Sequence, residues 1–145
     1  MIVQTALIGG SILVGVVLIR MIIKQTAKSF ERDELDKTAA ETISKARQEI
    51  RSKYKSYTDS EYQNMANSLE RAFYDVGTEE KPIYNIIGKC KTPDDFKSLI
   101  VAFGKRDINK YGDMEVDLVT ALNDELDEDE IGFVKEMLST INVTI

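Results

Sequence analysis

The side chains that could do chemistry in this sequence gather at two places. The first is the corner Phe73-Tyr74-Asp75-Val76-Gly77-Thr78-Glu79-Glu80-Lys81-Pro82, where a glycine, a hydroxyl and carboxylates crowd between two apolar runs. Carbonyls and carboxylates are the hard oxygen donors of which calcium takes roughly six to eight. The same residues also spell a tight turn, with a glycine to stop one helix and a threonine to start the next. The residue types alone leave both readings open. The second place is Asp124 to Glu130, where every position but Leu126 is acidic. No glycine occupies the sixth position of an Asp-x-Asp-x-Asp frame, so this is not an EF-hand loop. It reads as a solvated helix start whose charges complement the helix dipole.

Other chemistry is thin. The chain has no histidine, which removes the usual general base, the serine-protease type of triad and most zinc sites. Cys90 is the single cysteine; it sits in no Cys-x-x-Cys pair and reads as an idle, buried thiol. There is no Gly-rich phosphate loop. Glu79 and Glu125 could serve a glycosidase only if aligned, and nothing in their spacing aligns them. The sequence reads as a non-enzyme.

Helices must position these groups. "TDSE" at 58–61 is a capping box, followed by Tyr62, Met65, Ala66, Leu69, Ala72 and Phe73 at helical steps. Gly77 ends this helix, and Thr78 is expected to cap a second, which buries Ile83, Ile86 and Ile87. Thr92 caps a third, with Pro93 first, Asp94 and Asp95 at its positive end, and Phe96, Leu99, Ile100 and Phe103 inward. Gly104 closes or kinks it. A polar connection leads to a fourth helix with Val119, Leu122 and Leu126 on one face. Asp127 and Glu130 open a fifth, which faces Ile131, Val134, Leu138 and Ile141 inward. No segment alternates like a strand. The expected fold is all-α: a transmembrane helix over 1–24, a charged helical stalk over 25–57 and a five-helix domain over 58–145.

Between Ile2 and Ile23 the only charge is Arg20. Such a run spans ~33 Å as a helix, enough for a hydrocarbon core of about 30 Å. Ile2, Leu7, Ile12, Val16, Ile19 and Ile22 would meet lipid, and Arg20 can snorkel to the headgroups. No Lys or Arg precedes the run and bulky Met21-Ile22-Ile23 closes it, which favours a retained anchor over a cleaved signal. Arg20, Lys24, Lys28 and Arg32 all follow the span. The positive-inside rule therefore puts the N-terminus outside and the remainder in the cytoplasm, or in the interior of a membrane-containing virion. Ala6 with Gly10, and Ser11 with Gly15, have the small-residue spacing that lets two membrane helices pair into a homo-oligomer.

Residues 25–57 contain neither Gly nor Pro. Opposite charges recur four apart, as in Lys37–Glu41, Glu41–Lys45 and Lys45–Glu49. The apolar stripe of Leu35, Ala39, Ile43, Ala46, Ile50 and Tyr54 is thin, so this stretch is expected to be a solvated helical spacer. Charge is divided along the chain. Residues 1–57 carry a net +4, with ten Lys and Arg against six Asp and Glu. Residues 58–145 carry a net −10, with nine against nineteen. The acidic part argues against nucleic acid as a partner. "NVT" at 142–144 matches a glycosylation acceptor but falls on the inner side of the expected membrane.

The words "LERAFYDVGTEEKPIYNII" and "DLVTALNDEL" resemble a single annexin repeat. Leu69, Ala72, Gly77, Thr78, Glu80, Ile83, Asp117, Leu118, Leu122, Glu125 and Leu126 fall in step with that family's helix ends and corner. The resemblance covers about 85 residues and implies a five-helix domain. It also implies a calcium site made of the carbonyls of Phe73, Asp75 and Gly77 and the carboxylate of Glu125, facing phospholipid. Asp75 stands where the family has its first glycine, and the connection before Asp117 is longer than the family's.

Two functions are expected from this reading. One is a membrane-anchored structural or interaction protein whose acidic domain docks on a protein partner with a basic surface, such as a minor membrane protein of a lipid-containing bacteriophage. The other is a calcium-dependent phospholipid binder that bridges its own bilayer to another.

Overall fold

The computed structural model describes residues 31–74, 78–108 and 115–145. Contacts divide the chain into two units, Met1–Leu35 and Asp36–Ile145. Of the first unit, residues 31–35 are described, and they are helical. The expected span from Ile2 to Ile23, with Arg20 and the pairs Ala6–Gly10 and Ser11–Gly15, lies outside the described residues. Among the described residues no helix is long and apolar enough to cross a membrane.

The second unit is mostly helical. It opens with α1 (residues 36–49). A single 3₁₀ turn, Ser52–Tyr54, follows. Then come α2 (Asp59–Tyr74), α3 (Glu80–Ile87), α4 (Pro93–Phe103), β1 (Arg106–Asp107), β2 (Glu115–Val116), α5 (Leu118–Glu125) and α6 (Glu128–Ser139).

Local side-chain bonds start most of these helices. The Thr58 amide donates to Glu61 Oε2 at 2.7 Å, and the Glu61 amide donates back to Thr58 Oγ1 at 3.3 Å, just before α2. Thr92 with Asp95 and Asp127 with Glu130 form complete capping boxes for α4 and α6. Each box satisfies amides that a helix start leaves without partners, and a cap of this kind is worth about 1 kcal/mol. Gly104 ends α4 with φ 60, a left-handed conformation that side chains with a Cβ seldom adopt.

The start of α3 differs from the sequence expectation. Its N-cap is Glu79, with no side-chain cap, and not Thr78. The Thr78 hydroxyl is engaged elsewhere, as described below.

The core is one cluster. Helix α2 lies against α3 and α4, α3 against α6, and α4 against α5. Tyr62, Leu69, Ile83, Ile87, Phe96, Leu99, Phe103, Leu118, Leu122, Val134 and Leu138 are fully buried within it. Each of the large aliphatic and Phe side chains contributes roughly 1.5–3 kcal/mol by leaving water. Phe73 and Phe103 meet edge to face, their ring centroids 6.2 Å apart.

Two features were not read from the sequence. Arg106 pairs with Val116 and Asp107 with Glu115 in an antiparallel ladder. Strands of two residues are too short to show alternation. The second feature is α1, the stretch expected to be a solvated spacer. Ala39 is only 1% exposed and Ala46 only 5%, and Ala46 belongs to the core cluster with Ile43 packed on it. Asp36 bonds to Lys105 and Glu49 to Lys97, each at 2.9 Å. From Asp36 onward this helix lies along the domain.

The chain end is also tied in. Asn142 takes a left-handed conformation (φ 58). The Val143 amide then donates to the Leu138 carbonyl at 3.0 Å, and Val143 and Ile145 pack on the core.

Candidate functional site

The corner between α2 and α3 meets the end of α5. The Glu79 amide donates to the Ala72 carbonyl at 3.0 Å. The Thr78 hydroxyl lies 3.2 Å from the Glu125 carbonyl and 3.4 Å from Glu125 Oε2. It has one proton, so it donates to one of these oxygens at a time. The two residues are 47 positions apart in sequence, and both are half-buried.

Of the four residues implied as calcium ligands, the structure describes two. Glu125 stands beside Thr78, the residue that follows Gly77. Phe73 is in the last turn of α2, where carbonyls lack helical partners, and its side chain is buried. Asp75 and Gly77 lie outside the described residues. The described part of the corner thus offers a carboxylate and a helix C-terminus, both negative and both oxygen donors. Among the described residues, no three or more His, Cys, Asp or Glu side chains gather in a way that could hold a metal ion.

The acidic run beyond Glu125 is partly committed. Asp127 and Glu130 serve their own capping box. Asp117, buried, caps α5 and accepts from the Val119 amide at 2.9 Å and the Thr120 hydroxyl at 2.8 Å. Asp124, Asp127, Glu128 and Asp129 are exposed. With Glu79 they give this end of the molecule a strongly negative surface.

A second constellation centres on Asp95, which the sequence marked only as a dipole-complementing residue. Its side chain is completely buried. Oδ1 accepts from the Ser56 amide at 2.7 Å and the Tyr62 hydroxyl at 2.5 Å. Oδ2 accepts from the Ser56 hydroxyl and the Lys91 amide at 2.8 Å, and from the Thr92 amide at 3.1 Å. Burial by itself would raise this carboxyl's pKa. The bonds from Tyr62, Ser56 and Lys91 outweigh it and hold the group below the usual aspartate range. Burial, with Asp95 beside it, pushes the Tyr62 hydroxyl well above the usual phenol range, so it remains a donor. Burial, with a smaller contribution from Asp95, pushes the nearby Cys90 thiol up to about 12, which makes it a poor nucleophile.

This cluster ties residues 56, 62 and 91–95 together, and its role is positional. Arg106 does similar work, bonding Asn67 at 2.9 Å, Glu70, and the Phe103 carbonyl at 2.8 Å.

A recess of about 290 Å³ lies between α1, α4 and the chain end, lined in part by Ala46, Phe96, Ile100, Val119, Val143 and Ile145. Thr42, Lys45, Thr144 and the Lys97–Glu49 ion pair also line it. Compared with protein-family models, curated proteins and solved structures, the chain matches none.

Proposed function

We propose that this chain is a single-pass membrane-anchored structural or interaction protein, whose acidic helical domain docks on a protein partner with a basic surface. The observation that carries the reading is the division of the chain: an apolar run from Ile2 to Ile23 broken only by Arg20, and a folded part whose residues 58–145 sum to −10. The run is long enough to hold the chain in a bilayer. The exposed carboxylates of Glu79, Asp124, Glu128 and Asp129 present a like-charged surface that steers a basic partner at long range. A minor membrane protein in a lipid-containing bacteriophage virion is the setting this anatomy suits.

Cross-linking in the native membrane, with identification of the neighbour of residues 58–145, tests the docking. The expected neighbour is a protein linked through lysines to the 124–130 segment. Release of the intact chain into the supernatant by alkaline carbonate would sink the anchor.

One observation favours a second reading, a calcium-dependent phospholipid binder with an annexin-like corner: the contact of Thr78 with Glu125 brings that carboxylate to the corner. Calorimetric titration of the full chain with millimolar calcium is then expected to give a saturating isotherm that Glu125→Gln abolishes. A flat wild-type titration ends this reading and leaves the first untouched.

A further inference from the structure

The 3₁₀ turn and the α3–α4 junction run side by side. The Tyr57 hydroxyl donates to the Lys89 carbonyl at 3.1 Å, and the Thr92 hydroxyl to the Tyr54 carbonyl at 2.8 Å. Two short stretches, 51–57 and 89–92, are thereby held together. Their charged side chains are all cationic: Arg51, Lys53, Lys55, Lys89 and Lys91. Arg51 and Lys53 lie 4.8 Å and 4.7 Å from the centroid of the Tyr54 ring, which is 43% exposed. Of the neighbouring acids, Asp59 is exposed and pairs with Lys55, Glu61 is exposed and accepts from the Thr58 amide and hydroxyl, Asp94 is buried and approaches Arg51 at 3.8 Å, and Asp95 is buried among its five donors. Lys53, Lys89 and Lys91 have no ion-pair partner among the described residues.

We propose that this basic, tyrosine-centred patch docks on the anionic phospholipid headgroups of a bilayer without calcium. Lysines and arginines at a negatively charged leaflet are each attracted to it, and an exposed tyrosine flanked by cations suits the headgroup level, where its ring is apolar and its hydroxyl wet. The negative total of the domain does not forbid this. The patch lies at the start of α2 and the end of α3, whereas the acidic corner lies at the end of α2 and the start of α3. Helix α2 has 16 residues and separates the two by ~24 Å, about three screening lengths at physiological salt. A lipid surface therefore meets the patch's own charge. An acidic protein segment would pair with the lysines but gives no role to the exposed ring. The inference goes beyond the docking reading above and rests on its anchored topology only for the bilayer, which the same chain would supply.

The test uses the full chain in nanodiscs, in EDTA, with a fluorophore on Ser52→Cys. Ser52 is exposed and outside the charged set, and Cys90 is buried. The probe is quenching by lipids spin-labelled at the headgroup. Quenching is expected to be several-fold stronger in phosphatidylserine discs than in phosphatidylcholine discs. It should vanish in Lys53→Glu/Lys91→Glu and fall in about 0.5 M salt, where the screening length shrinks to a few ångströms. Circular dichroism of the double variant is expected to match wild type, since both lysines are exposed. Equal quenching in the two lipids, or a requirement for calcium, overturns the proposal. Selective retention of polyglutamate or an oligonucleotide, with no lipid preference, overturns it in favour of a different partner. If the chain proves not to be anchored, sedimentation with phosphatidylserine vesicles asks the same question, so failure of the anchor and failure of the patch are told apart.

Discussion

Asp95 shows how much one carboxylate can hold. Five donors from three separate stretches of chain converge on it, and its own amide is bonded by Thr92. Replacing it by asparagine keeps the size but removes the charge and one acceptor oxygen, leaving buried donors poorly matched. Breaking a buried charged network of this kind costs about 3 kcal/mol. Asp95→Asn is therefore expected to lower the unfolding free energy by that amount, read as a lower urea midpoint with an unchanged slope. The acid side follows with a definite sign. A carboxyl held below its unfolded value of about 3.9 stabilises the fold above that pH, and the contribution is lost as pH falls through the lower folded value. Wild type should lose this stability on acidification and Asp95→Asn should not, which unfolding curves between neutral pH and pH 3 will show. The sequence named this residue through "TPDD" but not its role. The capping box is local and readable; Ser56 and Tyr62 are 39 and 33 positions away, and no spacing rule connects them.

At the scale of elements, helix starts were legible wherever partner and cap lie three residues apart, as in Thr58 with Glu61 and Asp127 with Glu130. Thr78 defeated the same logic because its hydroxyl turns to Glu125, and the cap moved one residue on. Helix α1 was misread for a different reason. Its inward face is built from Ala39 and Ala46, whose small side chains give little amphipathic contrast yet allow close approach. Its charged residues, expected to pair along the helix, include Asp36 and Glu49, which reach across to Lys105 and Lys97. The docking of α1 can be broken by itself. Ala46→Glu forces a charge into a site 5% exposed and is expected to release α1, at a cost of about 1–3 kcal/mol, while α2–α6 stay folded. Hydrogen exchange should then quicken at residues 36–49 and stay slow in α2 and α4. Uniform acceleration everywhere would mean that α1 is integral to the domain's stability.

For the whole molecule, charge segregation matters more than the total. The sequence made the division between halves plain. It did not show that residues 51–55 join 89–91, because that junction is made by Ser56, Tyr57, Thr92 and Asp95 in three dimensions. The contact of Thr78 with Glu125 joins residues 47 positions apart, and no spacing rule in the sequence gives it. If the acidic end docks on a basic partner, the association rate should fall with added salt. Charge reversal at Glu128 and Asp129 should slow it further without altering the stability of the domain.

The Ser56–Asp95 bonds have one more consequence, for mechanics. A pull arriving along α1 meets first the two ion pairs to Lys97 and Lys105 and then the clasp at Ser56, before any tension reaches the first turn of α2. The head is thus gripped near the middle of its fold and not by a frayed end. Under load it should yield in two steps, α1 peeling first and the clasp parting second.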